Sequence, residues 1–265
     1  MPEITTLTLT PQTLPDAHIC CAIADRKCDG GTAAKKAWLA ERFTHGYRFR
    51  RLDVRGKVFI EYGPAEEAWQ PIDAPGWMAL GCFWVSGRFK RSGHAKALLA
   101  DVGDAAQADG MAGIVAVAGR RKMAFLSDGA WLRRQGFEEV DALDTGFVLL
   151  ARPCPGGTVA PRPRFARSCR EAVRTMPKGV VAYYSDRCPF AQYHVTTSLR
   201  DSCARRGLDL TIRHLDSAEA ARAAPSPATV FSLFVDGRFA TSDLSACLDT
   251  RFDKALAAAG LSADR

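Results

Sequence analysis

The chain has 265 residues, of which 47% are hydrophobic and 25% are charged, as in ordinary globular proteins. This length suits one or two domains, and no run approaches the roughly 18 apolar residues of a membrane span. The nine cysteines and the lack of a basic, apolar secretory pattern at the start predict reduced thiols and a cytoplasmic protein. The net charge of +7 suits an anionic ligand, but it is spread along the chain without interleaved aromatics, which disfavours nucleic-acid binding.

The first 151 residues alternate between strand and helix signals. Residues 32–45 predict a helix, because Trp38, Leu39 and Phe43 share one face and a glycine follows. The apolar run at 113–118 predicts a buried strand. Other strands are predicted near 3–9, 47–53, 57–62, 77–85, 138–141 and 146–151, and other helices over 15–24, 93–108 and 127–135. This order predicts a mixed α/β sheet with flanking helices.

The strand at 77–85 leads into a basic loop and then into a helical pattern that opens at Gly93. The N–H groups at a helix start have no partner within the helix, and the macrodipole is positive there, so this arrangement favours an anion. Arg88, Lys90 and Arg91 add positive charge. The glycines match neither the dinucleotide-binding G-x-G-x-x-G pattern nor the Walker pattern. An ordinary strand-to-helix connection with a solvated basic face remains the alternative.

The loop Lys90-Arg91-Ser92-Gly93-His94-Ala95 resembles the acyl-CoA loop of the GNAT acetyltransferases, which reads Arg/Gln-x-x-Gly-x-Gly/Ala. Lysine replaces the usual Arg or Gln at 90, and Gly87 stands where the preceding strand usually ends in proline. Residues 132–137 resemble the family's Tyr-x-x-x-Gly-Phe helix end, with Leu132 in place of the tyrosine that protonates the leaving thiolate. A CoA thiol is acidic enough to leave as the anion near neutral pH.

Four further segments are similar to the YoaP-type GNAT proteins, which join an acetyltransferase domain to a small C-terminal thioredoxin-like domain: 18–23, 55–62, 125–128 and 183–190. The resemblance implies a GNAT domain over 1–151 and a thioredoxin-like domain over 179–265. It implies transfer of the acetyl group of acetyl-CoA to the amine of an unidentified small molecule. It implies cofactor contacts at Phe83, Trp84, Val85, Lys90, Arg91, Ser92, Gly93, His94 and Ala95.

Residues 152–178 separate the two expected domains. Prolines at 153, 155, 161 and 163 and the pair Gly156-Gly157 disfavour helix and sheet interiors. The segment is also long for a loop inside a compact domain, so we predict an interdomain linker. Its arginines could pair with acidic surface, contact the CoA phosphates or be solvated.

Two carboxylates are candidates for the general base, which acetyl transfer needs because most amines are protonated at neutral pH. Glu61 follows Val58, Phe59 and Ile60 on a strand that lies beside the cofactor strand in the family topology, and burial there would make it a stronger base. Glu66 follows shortly after as the second candidate. The alternative for Glu61 is an outward strand carboxylate paired with an arginine.

The last third predicts strands at 180–184, 208–214, 229–235 and 238–240, with helices from about 189 and over 242–259, in the thioredoxin order. Cys188 lies at the first strand-to-helix turn, where a helix N-terminus favours the thiolate. The resolving cysteine of a disulfide oxidoreductase is missing, because position 191 is alanine. We therefore expect no disulfide exchange, and a monothiol role and a purely structural role both stay open.

A second group of soft side chains lies near the start of the chain: His18, Cys20, Cys21 and Cys28. Such residues could bind a thiophilic metal, but adjacent cysteines lack the C-x-x-C spacing of zinc sites, so we expect no metal. Buried apolar cysteines, or a lining for the acceptor pocket, explain the group equally well. The competing function is a thiol- or metal-responsive binding protein that retains a CoA fold.

Overall fold

The computed structural model describes residues 5–20, 23, 25–171 and 176–260. The strands are β1 (Thr6–Thr8), β2 (Arg48–Leu52), β3 (Val58–Pro64), β4 (Ile72–Asp73), β5 (Met78–Val85), β6 (Gly113–Gly119), β7 (Glu138–Ala142), β8 (Phe147–Pro153), β9 (Arg164–Phe165), β10 (Val180–Tyr184), β11 (Leu210–His214), β12 (Phe231–Val235) and β13 (Arg238–Thr241). The helices are α1 (Asp29–Phe43), α2 (His94–Ala108), α3 (Gly129–Arg134), α4 (Ser168–Glu171), α5 (Ala191–Tyr193), α6 (Arg200–Ala204), α7 (Ala218–Arg222) and α8 (Asp249–Ala258), and the π-helical turns His194–Leu199 join α5 to α6. The predicted mixed α/β order is confirmed.

The helix predicted over 15–24 is wrong for its described residues, because 15–20 form turns and irregular chain. Leu14, Ile19 and Cys20 are all buried in the core that α1 covers, and a helix would spread these positions around its circumference. Cys20 also has a φ of 54°, in the left-handed region that interrupts a helix. Tertiary packing therefore decides the path of this segment. Residues 21, 22 and 24 lie outside the described residues.

Seven strands form the large sheet, in the order β1-β2-β3-β5-β6-β8-β7. Among the described strands of this sheet, β5 and β6 make the parallel pair and the others pair antiparallel. The parallel pairing covers only Met78 opposite Ile114 and Ala79 opposite Val115. Beyond these positions the two strands have no ladder between them, which leaves a wedge at the centre of the sheet.

Helices α1 and α2 cover opposite faces of this sheet. Helix α2 buries Leu98, Leu99 and Val102 in the core that contains Ile60 of β3. Phe59, the next residue back along β3, belongs instead to the core under α1. Side chains alternate between the two faces of a strand, so Glu61, two residues after Phe59, faces α1.

A second sheet has the order β11-β10-β12-β13, with β10 parallel to β11 and antiparallel to β12. The strands predicted in this part are confirmed, and the hairpin turns at Asp236 and Gly237, both with positive φ, as the sequence predicted. The short helix α7 was not predicted. The thioredoxin-like assignment of this unit stays a prediction.

The segment between the two sheets packs on the first one. Phe165 of β9 pairs with Ile72 of β4, and the indole of Trp77 donates to the carbonyl of Pro161 at 3.1 Å. The two sheets also touch directly, since the rings of Phe147 and Phe239 lie 5.0 Å apart. The domain boundaries at 151 and 179 stay a prediction. None of the helices in the described ranges has the length and apolar character needed to span a bilayer.

Candidate active site

A cavity of about 490 Å³ lies where the two sheets meet. The first sheet contributes β3, β5, β6 and the loop 122–127, and the second unit contributes the turn 187–190 and the segment 227–231. The lining is mainly apolar, with a few buried polar side chains among it. A concave, apolar space with a few polar groups is the usual form of a small-molecule site.

A β-bulge shapes the floor of the cavity. Ile60 pairs with Phe83 and Tyr62 pairs with Leu80, so β5 has one more residue than β3 between the two pairings. The extra residue bends β5 opposite Glu61 and takes part of its backbone out of the ladder. Gly81 lies in this bulge, and a Cβ there would come within 2.1 Å of the Tyr47 hydroxyl oxygen. The position therefore requires glycine.

Glu61 is 1% exposed and is the centre of a buried polar cluster. The ammonium of Lys35, which is 0% exposed, donates to Glu61 Oε1 at 2.5 Å. The thiol of Cys20 donates to the same oxygen at 3.5 Å, and the Tyr47 hydroxyl donates to Oε2 at 3.3 Å. Lys35, Glu61 and Cys20 line the cavity. The predicted base is therefore in the cavity, but its partner is a lysine.

Burial and charge set the protonation of this cluster. Burial by itself lowers the pKa of the Lys35 ammonium, but the neighbouring acidic groups of Cys20 and Glu61 outweigh it, so this pKa lies well above its ordinary value. Burial raises the pKa of the Cys20 thiol well above its ordinary value, and burial likewise raises the pKa of Tyr47. At neutral pH Lys35 is therefore an ammonium, and the Cys20 thiol and the Tyr47 phenol are neutral.

The turn at 187–190 brings the second unit onto the site. Lys35 Nζ donates to the main-chain carbonyl of Arg187 at 2.8 Å, in addition to its ion pair. Gly31 of α1 lies so close to this turn that a Cβ would be 2.0 Å from the carbonyl oxygen of Pro189. The cavity therefore depends on contact between residues far apart in the sequence.

The sequence missed Lys35 and Arg187. The signal for Lys35 was its place on the buried face of α1, three residues before Trp38 and four before Leu39. A charged residue on such a stripe needs a buried partner. Arg187 gave no comparable signal, because it lies in a turn without periodicity.

The loop at 87–93 joins β5 to α2. Its backbone takes left-handed φ values of 63° at Arg91 and 81° at Gly93, and Gly93 precedes the first residue of α2. A side chain at Gly93 would meet nothing within 4 Å, so the helix N-terminus is open. Lys90, Arg91, Ser92 and Gly93 are exposed, and His94 and Ala95 are partly buried. This surface has the geometry and charge of an anion site.

The remaining predicted residues divide between the cavity and its surroundings. Phe83 and Trp84 line the cavity, whereas Val85 packs against the core under α2. Cys188 lines the cavity and is partly buried, just before α5. Glu66 is exposed, accepts from the Gly76 amide at 3.0 Å, and is outside the cavity lining.

The cysteine group near the start of the chain forms no metal site in the described residues. No three His, Cys, Asp or Glu side chains are placed there to hold a metal ion. Cys20 is bound to Glu61, and His18 lies 3.3 Å from the carbonyl oxygen of Gly56. Cys28 is buried at the start of α1, and Cys21 lies outside the described residues.

Comparisons with known proteins identify the family of this chain. A family model described as YoaP-like matches residues 209–254. The chain is 39% identical over 248 residues to a protein of Bacillus subtilis (strain 168) named "Uncharacterized N-acetyltransferase YoaP", covering 94% of this chain and 96% of that protein. The chain therefore belongs to the YoaP-like proteins of the GNAT acetyltransferase family. The family expected from the sequence, and with it the acyltransferase class, is confirmed.

Similar solved structures cover somewhat more than half of the chain. One is a putative acyl-CoA N-acyltransferase of Klebsiella pneumoniae, with 15% identity and a TM-score of 0.38 over 57% of this chain and 98% of that one. Another is a GNAT family acetyltransferase of Brucella melitensis in complex with acetyl-CoA, with 19% identity and a TM-score of 0.36 over 60% and 96% of the two chains.

Proposed function

We propose that this protein transfers the acetyl group of acetyl-CoA to the amine of a small molecule in the cavity between the two sheets. The observation that carries the proposal is the wedge between β5 and β6. It begins where the two strands stop pairing, after Ala79 and Val115. From there β5 continues along the cavity to the basic loop at 87–93. Glu61 lies at the bulge on its floor.

The cofactor would bind along β5 and the start of α2. The backbone from Arg91 to Ala95 is placed to hold the pyrophosphate, because the first amides of a helix lack partners and its dipole is positive there. The pantetheine arm would run beside Phe83 and Val85, where the edge of β5 towards β6 has no strand partner. Unpaired strand N–H and C=O groups can hydrogen-bond the amides of that arm.

Glu61 is the proposed general base. Its Oε2 accepts from Tyr47 alone among the described residues, so it has room to accept a proton from the substrate ammonium. The neutral amine then attacks the thioester carbonyl carbon, and the C–S bond breaks to release CoA thiolate. The nitrogen loses its second proton to solvent as the amide forms. Leu132 is fully buried and has no proton to give, so the thiolate leaves as the anion.

The second unit would define the acceptor side of the cavity. Cys188, Pro189 and Phe190 lie on one wall and residues 227–231 on another. In this proposal the unit has the thioredoxin-like fold expected from the sequence, yet it serves acetyl transfer by shaping access. The alternative is a thiol- or metal-responsive binding protein that retains a CoA fold, and no group of side chains in the described part of the chain is placed to hold the metal it could respond to.

Glu61→Gln tests the proposal. It replaces the base with a neutral group of the same shape, so turnover should fall by about 10²- to 10⁴-fold, the usual contribution of a general base. Acetyl-CoA affinity, measured by calorimetry, should change little, because Glu61 acts on the acceptor. Release of CoA thiol is followed with a panel of amines, after mass spectrometry of any co-purified ligand.

Glu66→Gln separates the two candidate bases. Glu66 is exposed and bound to a backbone amide, so its variant should keep turnover within about twofold. Full activity of Glu61→Gln across the pH range would exclude Glu61 as the base. Loss of activity in Glu66→Gln alone would move the role to that residue.

A further inference from the structure

Arg187 carries a buried positive charge that no carboxylate among the described residues neutralises. It is 5% exposed, and none of the ion pairs in the described part of the chain includes it. Its NH1 donates to Thr229 Oγ1 at 2.8 Å and to the carbonyl of Trp69 at 3.4 Å. Its guanidinium lies 5.9 Å from the ring centroid of Trp38. Its side chain also hydrogen-bonds the Tyr47 hydroxyl. All of these partners are neutral, and the Nε group is buried without a hydrogen-bond partner.

A buried guanidinium is stable only where hydrogen bonds and an opposite charge compensate its loss of water. Arg187 lines the cavity, so a ligand there can supply both. Carboxylates match the fork of N–H groups on arginine, and these charge-assisted bonds are stronger than neutral ones. The unpaired Nε and the missing counter-charge both point to a carboxylate on the ligand.

A second buried atom on the same wall lacks a partner. Gln70 follows Trp69, lines the cavity and is 6% exposed. Its Nε2 donates to the carbonyl of Leu80 at 3.4 Å, which leaves Oε1 as a buried acceptor without a donor. Because Gln70 lines the cavity, we expect this oxygen to accept an N–H from the ligand. The wall therefore offers one unmet donor and one unmet acceptor.

Charge and position connect this wall to the proposed base. Lys35 pairs with Glu61 and also donates to the main-chain carbonyl of Arg187. The Tyr47 hydroxyl contacts both Glu61 and the Arg187 side chain, so the base and the guanidinium belong to one cluster. Lys57 and Lys122 line the cavity as well, and its charge is positive overall. The rest of the acceptor side is apolar, including Phe190, Val230 and Phe231.

We propose that the acceptor is an amino acid with an apolar side chain. Arg187 binds its carboxylate, Gln70 Oε1 accepts an N–H of its amine, and Glu61 takes the proton that the amine must lose. The apolar side chain packs against the wall formed by the second unit. This assignment rests on the proposed acetyl transfer, and it makes Arg187 the residue that determines specificity.

The test compares each amino acid with the amine that lacks its carboxylate. CoA release is measured with phenylalanine against 2-phenylethylamine and with leucine against 3-methylbutylamine, for wild type and for Arg187→Met and Arg187→Lys. Wild type should prefer the amino acids. Arg187→Met should lower kcat/KM for the amino acids by about 10- to 100-fold, the range of a lost charge-assisted hydrogen bond, and change it less than threefold for the amines. The kcat/KM of Arg187→Lys for the amino acids should lie between those of wild type and Arg187→Met.

Arg152→Met is the matched control, because Arg152 is a partly buried arginine stacked on Phe137 and outside the cavity lining. It should leave the preference unchanged. Calorimetry of phenylalanine and its N-acetyl product with the CoA-loaded protein provides a readout without turnover, and binding should be lost in Arg187→Met. A wild type that neither binds nor acetylates the amino acids, or an Arg187→Met that loses both substrate classes equally, overturns the carboxylate assignment. If either result is found while wild type still acetylates the amines, the carboxylate assignment fails but the proposed acetyl transfer holds.

Discussion

The buried pair of Lys35 and Glu61 makes a measurable prediction about stability. Lys35→Met keeps the length of the side chain but removes the ammonium. Among the described residues, Glu61 then retains only the bonds from Cys20 and Tyr47, and the thioether of methionine cannot donate a hydrogen bond in place of the ammonium. Breaking a buried ion pair on one side costs about 3–5 kcal/mol, a large part of the roughly 5–15 kcal/mol that stabilises a typical domain.

Urea unfolding followed by tryptophan fluorescence measures this loss, and Trp38 lies on the same face of α1 as Lys35. Lys35→Met should therefore unfold at a clearly lower urea concentration than wild type. The double variant Lys35→Met with Glu61→Gln should lose less than the sum of the single losses, by about 1–3 kcal/mol, because it leaves no unpaired charge.

Arg48→Met is the control for an ion pair near the surface. Arg48 and Asp109 are 2.8 Å apart with side chains 31% and 30% exposed, so this loss should be under about 1 kcal/mol. A Lys35→Met protein as stable as Arg48→Met, or single losses that add without coupling, would refute the buried pair.

Two other variants and one pH dependence are predicted from the same structure. Leu132→Ala removes a fully buried side chain from the core under α2, so it should lower the free energy of urea unfolding by about 2–5 kcal/mol, while turnover of the folded protein changes little. A loss of turnover by several orders of magnitude in a stable variant would show that position 132 has a chemical role. Cys188→Ser should remove the thiol that iodoacetamide alkylates fastest and leave acetyl-CoA binding intact, since burial raises the pKa of Cys169 and of Cys203 to about 12. Reduction of insulin by wild type would contradict the expectation that Cys188 takes no part in disulfide exchange. The folded state raises the pKa of Lys35, so the ammonium stabilises the fold fully below its ordinary pKa of 10.5, and this stabilisation falls between 10.5 and the higher folded pKa. The stability difference between wild type and Lys35→Met should therefore stay constant from about pH 7 to about pH 10 and narrow from about pH 10.5 upward, and narrowing below about pH 9 would argue against the pair.

Much of the fold could be predicted because its signals are local. The helical spacing of Trp38 and Leu39 and the apolar run at 113–118 each fix one element, and both are confirmed. The helix prediction for 15–24 was wrong because the apolar residues of this segment pack into one core, although helical geometry would not place them on one face.

The candidate site was harder to predict, because its chemistry depends on contacts across the chain. Glu61 was identified from its strand, but its partner Lys35 lies 26 residues earlier on a helix. Arg187, whose main-chain carbonyl contacts Lys35, lies 152 residues after it in the sequence. No local sequence pattern predicts such contacts. The loop at 90–95 is contiguous, so its assignment to the cofactor rests on local residues, and it stays a prediction.

The binding of acetyl-CoA to the start of α2 tests the central claim most directly. Gly93 and Gly110 lie at opposite ends of α2, both have positive φ, and a side chain at either meets nothing within 4 Å. Glutamate at each position therefore adds similar strain and the same charge, but only Gly93→Glu places it at the proposed pyrophosphate position. Calorimetry should show wild-type acetyl-CoA affinity in Gly110→Glu and a loss of at least about tenfold in Gly93→Glu. Equal affinity in the two variants would contradict the placement of the cofactor.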